Sequence, residues 1–189
     1  MARTADRRAG ESGADSGFAG ARSGRRPAAV WLTLAARIAV GLIFVLAGVS
    51  KLVAPGTFSA TLLAYNVLPV ALLRPVSLIL PWIEVVVGLY LLAGLFTRAA
   101  AWAAIVMLAI FMLAIGQAVL RGISLQDCGC FGSITSAVPA LQYVLGGSSL
   151  GPADIVRDAV YALLALLVAL GPQTPYSVDS LLAAHRRSG

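Results

Sequence analysis

From Trp31 to Val53 the chain runs for 23 residues with only two charged side chains, Arg37 near the start and Lys51 near the end. As a helix rising 1.5 Å per residue this stretch reaches the roughly 30 Å of a bilayer's hydrocarbon core. Signal-peptide apolar regions are only about 7–15 residues long, so the segment reads as a retained helix. Similar runs follow at Val76–Phe96, Ala99–Leu120 and Asp154–Leu170. The last is interrupted in its first turns by Arg157 and Asp158, but a long arginine side chain near a membrane surface can snorkel to water. Gly171-Pro172 ends it. The expected fold is all-α, an integral membrane bundle of four transmembrane helices. Between the first and second helices lies a short interfacial or re-entrant segment, Thr57–Leu73, broken at Pro69 and too short before that proline to cross.

Composition agrees. Apolar residues make up 59% and charged residues 12%, about half the charge of a soluble domain. Residues 1–28 hold six arginines among Ala, Gly and Ser and are expected to form a disordered cytoplasmic tail. Residues 29–171 form the membrane domain and 172–189 a second cytoplasmic tail. The +6 net charge is concentrated in the tails, with no basic amphipathic helix to read nucleic acid. With four spans, the two tails and the Thr97-Arg98 turn share one side and carry nine basic residues. The positive-inside rule then places both termini in the cytoplasm. The arginine- and alanine-rich composition is that of a bacterial chain of high-GC origin, and the expected location is the plasma membrane. A fifth span would reverse the side on which the third loop lies.

That loop contains Asp127-Cys128-Gly129-Cys130-Phe131-Gly132, with the only two cysteines of the chain. On the outer side disulfides persist. A Cys128–Cys130 disulfide closes a very small ring, difficult to reconcile with a side-chain torsion near 90°. Gly129 supplies the backbone freedom that makes it feasible. A strained disulfide is easily reduced, which suits exchange better than bracing. Gly132 leaves the approach open, while Asp127 disfavours the thiolate. Two other readings stand beside exchange: a two-thiol Cu(I) site, and a pair that merely tightens a turn. A zinc site lacks ligands, since His185 is the only histidine and lies in the C-terminal tail. The same lack disfavours haem and Ser-His-Asp chemistry. With both sulfurs on one face, electrons need a lipid-soluble acceptor such as a quinone, or a partner protein.

Glu84 falls near the middle of the second apolar run, where an acid is costly and marks a candidate site. Along straight helices it lies about 9 Å in depth from Arg37 and about 12 Å from Lys51. Three readings remain open: a protonated acid, an ion pair locking two helices, or proton handling beside a quinone or partner. Gly41, Ala47, Gly48, Gly88 and Gly94 permit close helix approach. Trp31, Trp82 and Trp102 suit interfacial anchors or core equally. Asp154 and Asp158 read first as acids at a helix N-terminus.

Ala47-Gly48-Val49-Ser50-Lys51-Leu52, Leu80-Pro81-Trp82-Ile83-Glu84, Cys128-Gly129-Cys130-Phe131-Gly132 and Val156-Arg157-Asp158 together resemble the methylamine utilisation MauE family, within the DoxX-like group. The resemblance covers about residues 30–171. It implies a four-helix membrane protein acting in maturation of methylamine dehydrogenase, through disulfide formation or electron delivery in the periplasm. It also suggests thioredoxin-like partners. Cys128 and Cys130 are the expected catalytic pair, supported by Gly129, Phe131, Gly132, Glu84 and Lys51. The competing class is a non-catalytic assembly factor or membrane anchor.

Overall fold

The computed structural model describes residues 27–123 and 152–172. Among these are five helices and no strand: α1 Pro27–Val53, α2 Pro55–Tyr65, α3 Val70–Ala93, α4 Thr97–Leu120 and α5 Pro152–Leu170. Nearly all of both expected tails, and the loop with Cys128, Gly129, Cys130, Phe131 and Gly132, lie outside the described residues. Proline opens α1, α2 and α5. Its fixed φ suits a first helical residue, and the N–H it lacks has no partner there.

The ambiguous Thr57–Leu73 stretch resolves into the end of one helix and the start of another. The 11 residues of α2 reach only about 17 Å. Asn66 stops it with a left-handed φ of 49° and an N–H bonded to Leu63 O, a conformation asparagine tolerates better than most residues. Pro69 does not break a helix but precedes one. The second long helix therefore starts at Val70, six residues before the expected Val76, and absorbs Pro75 and Pro81. It also ends early, at Ala93. Gly94 adopts φ 69°, its N–H bonds to Leu91 O, and Leu95 N–H bonds back to Tyr90 O. The turn is thus Gly94–Phe96, and Thr97 and Arg98 open α4.

Packing joins α1 chiefly to α3, and α4 to α5. A β-carbon on Gly48 would lie 2.7 Å from Pro81 O, and one on Gly88 would lie 2.8 Å from Gly41 O. The backbones of α1 and α3 are therefore in direct contact. Rising numbers on α1 meet falling numbers on α3, so the pair is antiparallel. Gly94 takes no part in this seam, having become a helix stop.

Leu78, Ile79, Trp82 and Ile83 on α3, and Val106, Ile110 and Leu113 on α4, face outward and are exposed. Trp31 and Trp102 are exposed too, so none of the three tryptophans is core. Large side chains turned outward around a core rich in alanine mark a multi-pass membrane protein. By length and composition α1, α3 and α4 can each cross a bilayer. The 19-residue α5 is set apart by Asp154, Arg157 and Asp158, so three helices rather than four meet that condition.

Candidate functional site

Lys51, the only lysine of the chain, lies in the last turn of α1. In a helix the Cα–Cβ bond tilts toward the N-terminus, so its side chain reaches back along α1. There the glycine seam holds the Pro81–Val85 turn of α3 against Gly48. The ammonium donates to both carboxylate oxygens of Glu84 at 2.8 Å, with the two side chains 2% and 1% exposed. Depth along straight helices favoured Arg37 as the nearer base. The register fixed by the glycines, together with the backward reach of Lys51, brings Lys51 into contact instead. Of the readings open for Glu84, the structure realises the ion pair joining two helices.

The Lys51 ammonium also lies over the rings of Phe58 of α2 and Phe111 of α4, at 5.4 and 5.3 Å from their centroids. Such positioning is favourable when the cation is desolvated. Four helices thereby converge on one side chain.

On α5, Asp154 and Asp158 are buried rather than facing water at a helix end. Arg157 does not snorkel. It donates from an Nη to Asp154 Oδ1 at 2.8 Å and lies with Nε 3.7 Å from Asp158 Oδ1, its side chain only 12% exposed. Spacings of three and four residues place these charges on one helix face. Asp158 Oδ2 has no hydrogen-bond partner among the described residues. A cavity of about 20 Å³, near the size of one water, lies between Asp158, Tyr161, Lys51 and Glu84. Two acids, Glu84 and Asp158, and one base, Lys51, therefore line a water-sized space.

A second cavity, of about 210 Å³, opens on the other side of Lys51 between α2, α3 and α4. Apart from Lys51, its walls are apolar and aromatic, including Phe58, Tyr65, Leu80, Met107, Phe111 and Ile115. Among the described residues no three His, Cys, Asp or Glu side chains are grouped to hold a metal ion.

Lys51 and the groups around it lie toward one end of the bundle, with Glu84 the deepest, near the middle of α3. Gln117 near the end of α4 donates to Tyr65 O of α2 at 3.2 Å, and Asp158 near the start of α5 shares the small cavity with Lys51. The chain leaves α4 at Leu120 and returns in α5 at Pro152. Both anchor points of the segment carrying Cys128 and Cys130 are thus at the end where Lys51 lies. Glu84 and Lys51 were identified from sequence and are brought together. Phe58, Phe111, Arg157, Asp158 and Tyr161 were not assigned to the site. The available signal was Asp154-x-x-Arg157-Asp158, an acid–base triplet on one face of an otherwise apolar helix.

Comparison with known proteins gives consistent matches. The model of the family "Methylamine utilisation protein MauE" matches residues 29–171. The methylamine utilization protein MauE of Paracoccus denitrificans is 33% identical over 146 residues, covering 77% of this chain and 71% of that protein. Its namesake from Methylophilus methylotrophus is 30% identical over 151 residues, covering 79% and 74%. No solved structure matches significantly. A family match over residues 29–171, with two relatives 33% and 30% identical over most of their length, shows that the chain belongs to the MauE family, which is linked to methylamine utilisation.

Proposed function

We propose that this protein is a four-span thiol–disulfide exchanger of the bacterial plasma membrane, with residues 29–171 as its membrane domain. Both termini lie in the cytoplasm, and Cys128 and Cys130 lie outside. A client thiolate attacks one sulfur of the Cys128–Cys130 disulfide and the other sulfur leaves as a thiolate. The client's second thiol then displaces the mixed disulfide, so the client gains a disulfide and the pair becomes a dithiol. The client is an extracytoplasmic protein, either thioredoxin-like or a methylamine dehydrogenase-like enzyme under maturation. The name of the relatives, methylamine utilization, supports the second.

The observation that carries this reading is the placement of the loop's anchor points. Leu120 and Pro152, which flank the segment with the chain's only sulfur pair, lie at the end of the bundle near which Lys51, Glu84 and Asp158 are buried and the Arg157 side chain is 12% exposed. Holding four ionisable groups in an apolar bundle is costly even when they are paired, and groups so placed mark a candidate functional site. Phe131, Gly129 and Gly132 shape access to the sulfurs, while Lys51 and Glu84 close the membrane end.

Trapping tests it. In cells, Cys130→Ser or Cys128→Ser should accumulate a mixed disulfide with an extracytoplasmic protein, visible on non-reducing gels and absent from the double serine variant. Lack of an adduct from either single variant, with full function in the double variant, would instead identify a non-catalytic anchor.

A further inference from the structure

We propose that the cavity beside Lys51 binds the head group of a lipid-soluble quinone. The cavity measures about 210 Å³. An apolar cavity of about 150 Å³ accommodates benzene, so this one holds a substituted six-membered ring but not a long chain as well. Its rim includes Val67 and Ile110, which are 48% and 57% exposed on the outer surface of the bundle. The cavity therefore opens sideways toward lipid, and a ligand can insert its ring while its tail stays in the bilayer. Apolar walls exclude soluble, charged molecules.

What selects the ring is at the inner end. Among the described residues Lys51 is the only cationic one lining the cavity, and Phe58 and Phe111, whose rings its Nζ faces, are walls of the same space. A flat ring stacks on such walls, and a carbonyl oxygen accepts a hydrogen bond from the ammonium. An acyl chain uses neither. A phospholipid head group brings a phosphate too large and too hydrated for walls of this character.

The role as electron acceptor rests on the thiol reading above, whereas the binding does not. Oxidation of a dithiol to a disulfide releases two electrons and two protons. A quinone taking up both becomes a quinol, so the exchange balances without any further reagent. Lys51, held on Glu84 at 2.8 Å, is positioned to hand a proton to the reduced oxygen and recover it through the Glu84 and Asp158 side.

The experiment uses the full chain in lipid nanodiscs with a decyl-substituted benzoquinone, and reads saturable binding and photo-crosslinking by its azido derivative. Wild type should bind and crosslink within α2 or the second half of α4. Ala114→Phe, which fills the cavity while leaving the ion pair intact, should abolish crosslinking. Lys51→Met/Glu84→Gln, which removes the donor without stranding a buried charge, should weaken binding by about tenfold or more, the weight of a charge-assisted hydrogen bond. The Cys128→Ser/Cys130→Ser variant should bind as wild type, so failure of thiol exchange and failure of the pocket are told apart. Absence of saturable binding, equal affinity in the folded Ala114→Phe variant, or dependence of binding on the cysteines would each overturn the assignment.

Discussion

A lysine and a glutamate buried together in a membrane bundle are held by each other, and the cost of parting them is asymmetric. Lys51 and Glu84 share two bonds of 2.8 Å and almost no solvent. Removing one partner leaves a desolvated charge and costs about 3–5 kcal/mol, while replacing both by apolar groups of similar volume is close to neutral. Glu84→Leu should therefore lower the thermal unfolding midpoint in detergent markedly, and adding Lys51→Met should restore most of the loss. Equal and additive losses in the double variant would show that the two side chains do not act as a pair. Lys51 is also the only primary amine outside the N-terminus, and its 3% exposure predicts slow acylation by an amine reagent until the protein unfolds.

The element that fixes this contact is the glycine seam between α1 and α3. Gly48 faces Pro81 O and Val85 so closely that any β-carbon there would sit at 2.6–3.0 Å from them. Gly48→Leu must push the helices apart. Overpacking of this kind costs about 1–3 kcal/mol, and because it also withdraws Lys51 from Glu84 the loss should exceed that of Gly56→Leu, whose β-carbon meets nothing within 4 Å. Comparable midpoints for the two variants would sink this account of the register. Much of this level was legible beforehand. Sustained apolar runs revealed the long helices, and Gly41, Gly48 and Gly88 advertised a close approach. Helix ends were harder, because proline permits opposite outcomes. Pro69 marked a start rather than a break, and Pro75 and Pro81 were tolerated inside α3. Partner choice was harder still. Whether Glu84 meets Arg37 or Lys51 depends on a register that only backbone contact determines, and the burial of Asp154 and Asp158 depends on which face α5 turns to α4.

At the scale of the whole molecule, the side of the C-terminal tail turns on whether α5 completes a fourth crossing. Its 19 residues reach about 29 Å, close to a hydrocarbon core, but its first two turns carry three charges. Arg157 is paired with Asp154 and lies beside Asp158, so the segment presents a partly neutralised face to its neighbours. Burial of that face against the other helices removes it from lipid, which lowers the cost that composition alone assigns. An even number of crossings puts both tails on one side, with their eight arginines, and the loop of Cys128 and Cys130 on the other. With only two cysteines in the chain, the native protein reports its own topology. After mild reduction, a membrane-impermeant maleimide added to intact cells should label them. Single cysteines introduced as Ser16→Cys or Ser188→Cys in a Cys128→Ser/Cys130→Ser background should react only once the membrane is permeabilised. Labelling of Ser188→Cys but not Ser16→Cys in intact cells would mean an odd number of crossings, with α5 packed at the surface. The sulfur pair, which follows α4, would still face outward, and only the C-terminal tail would change sides.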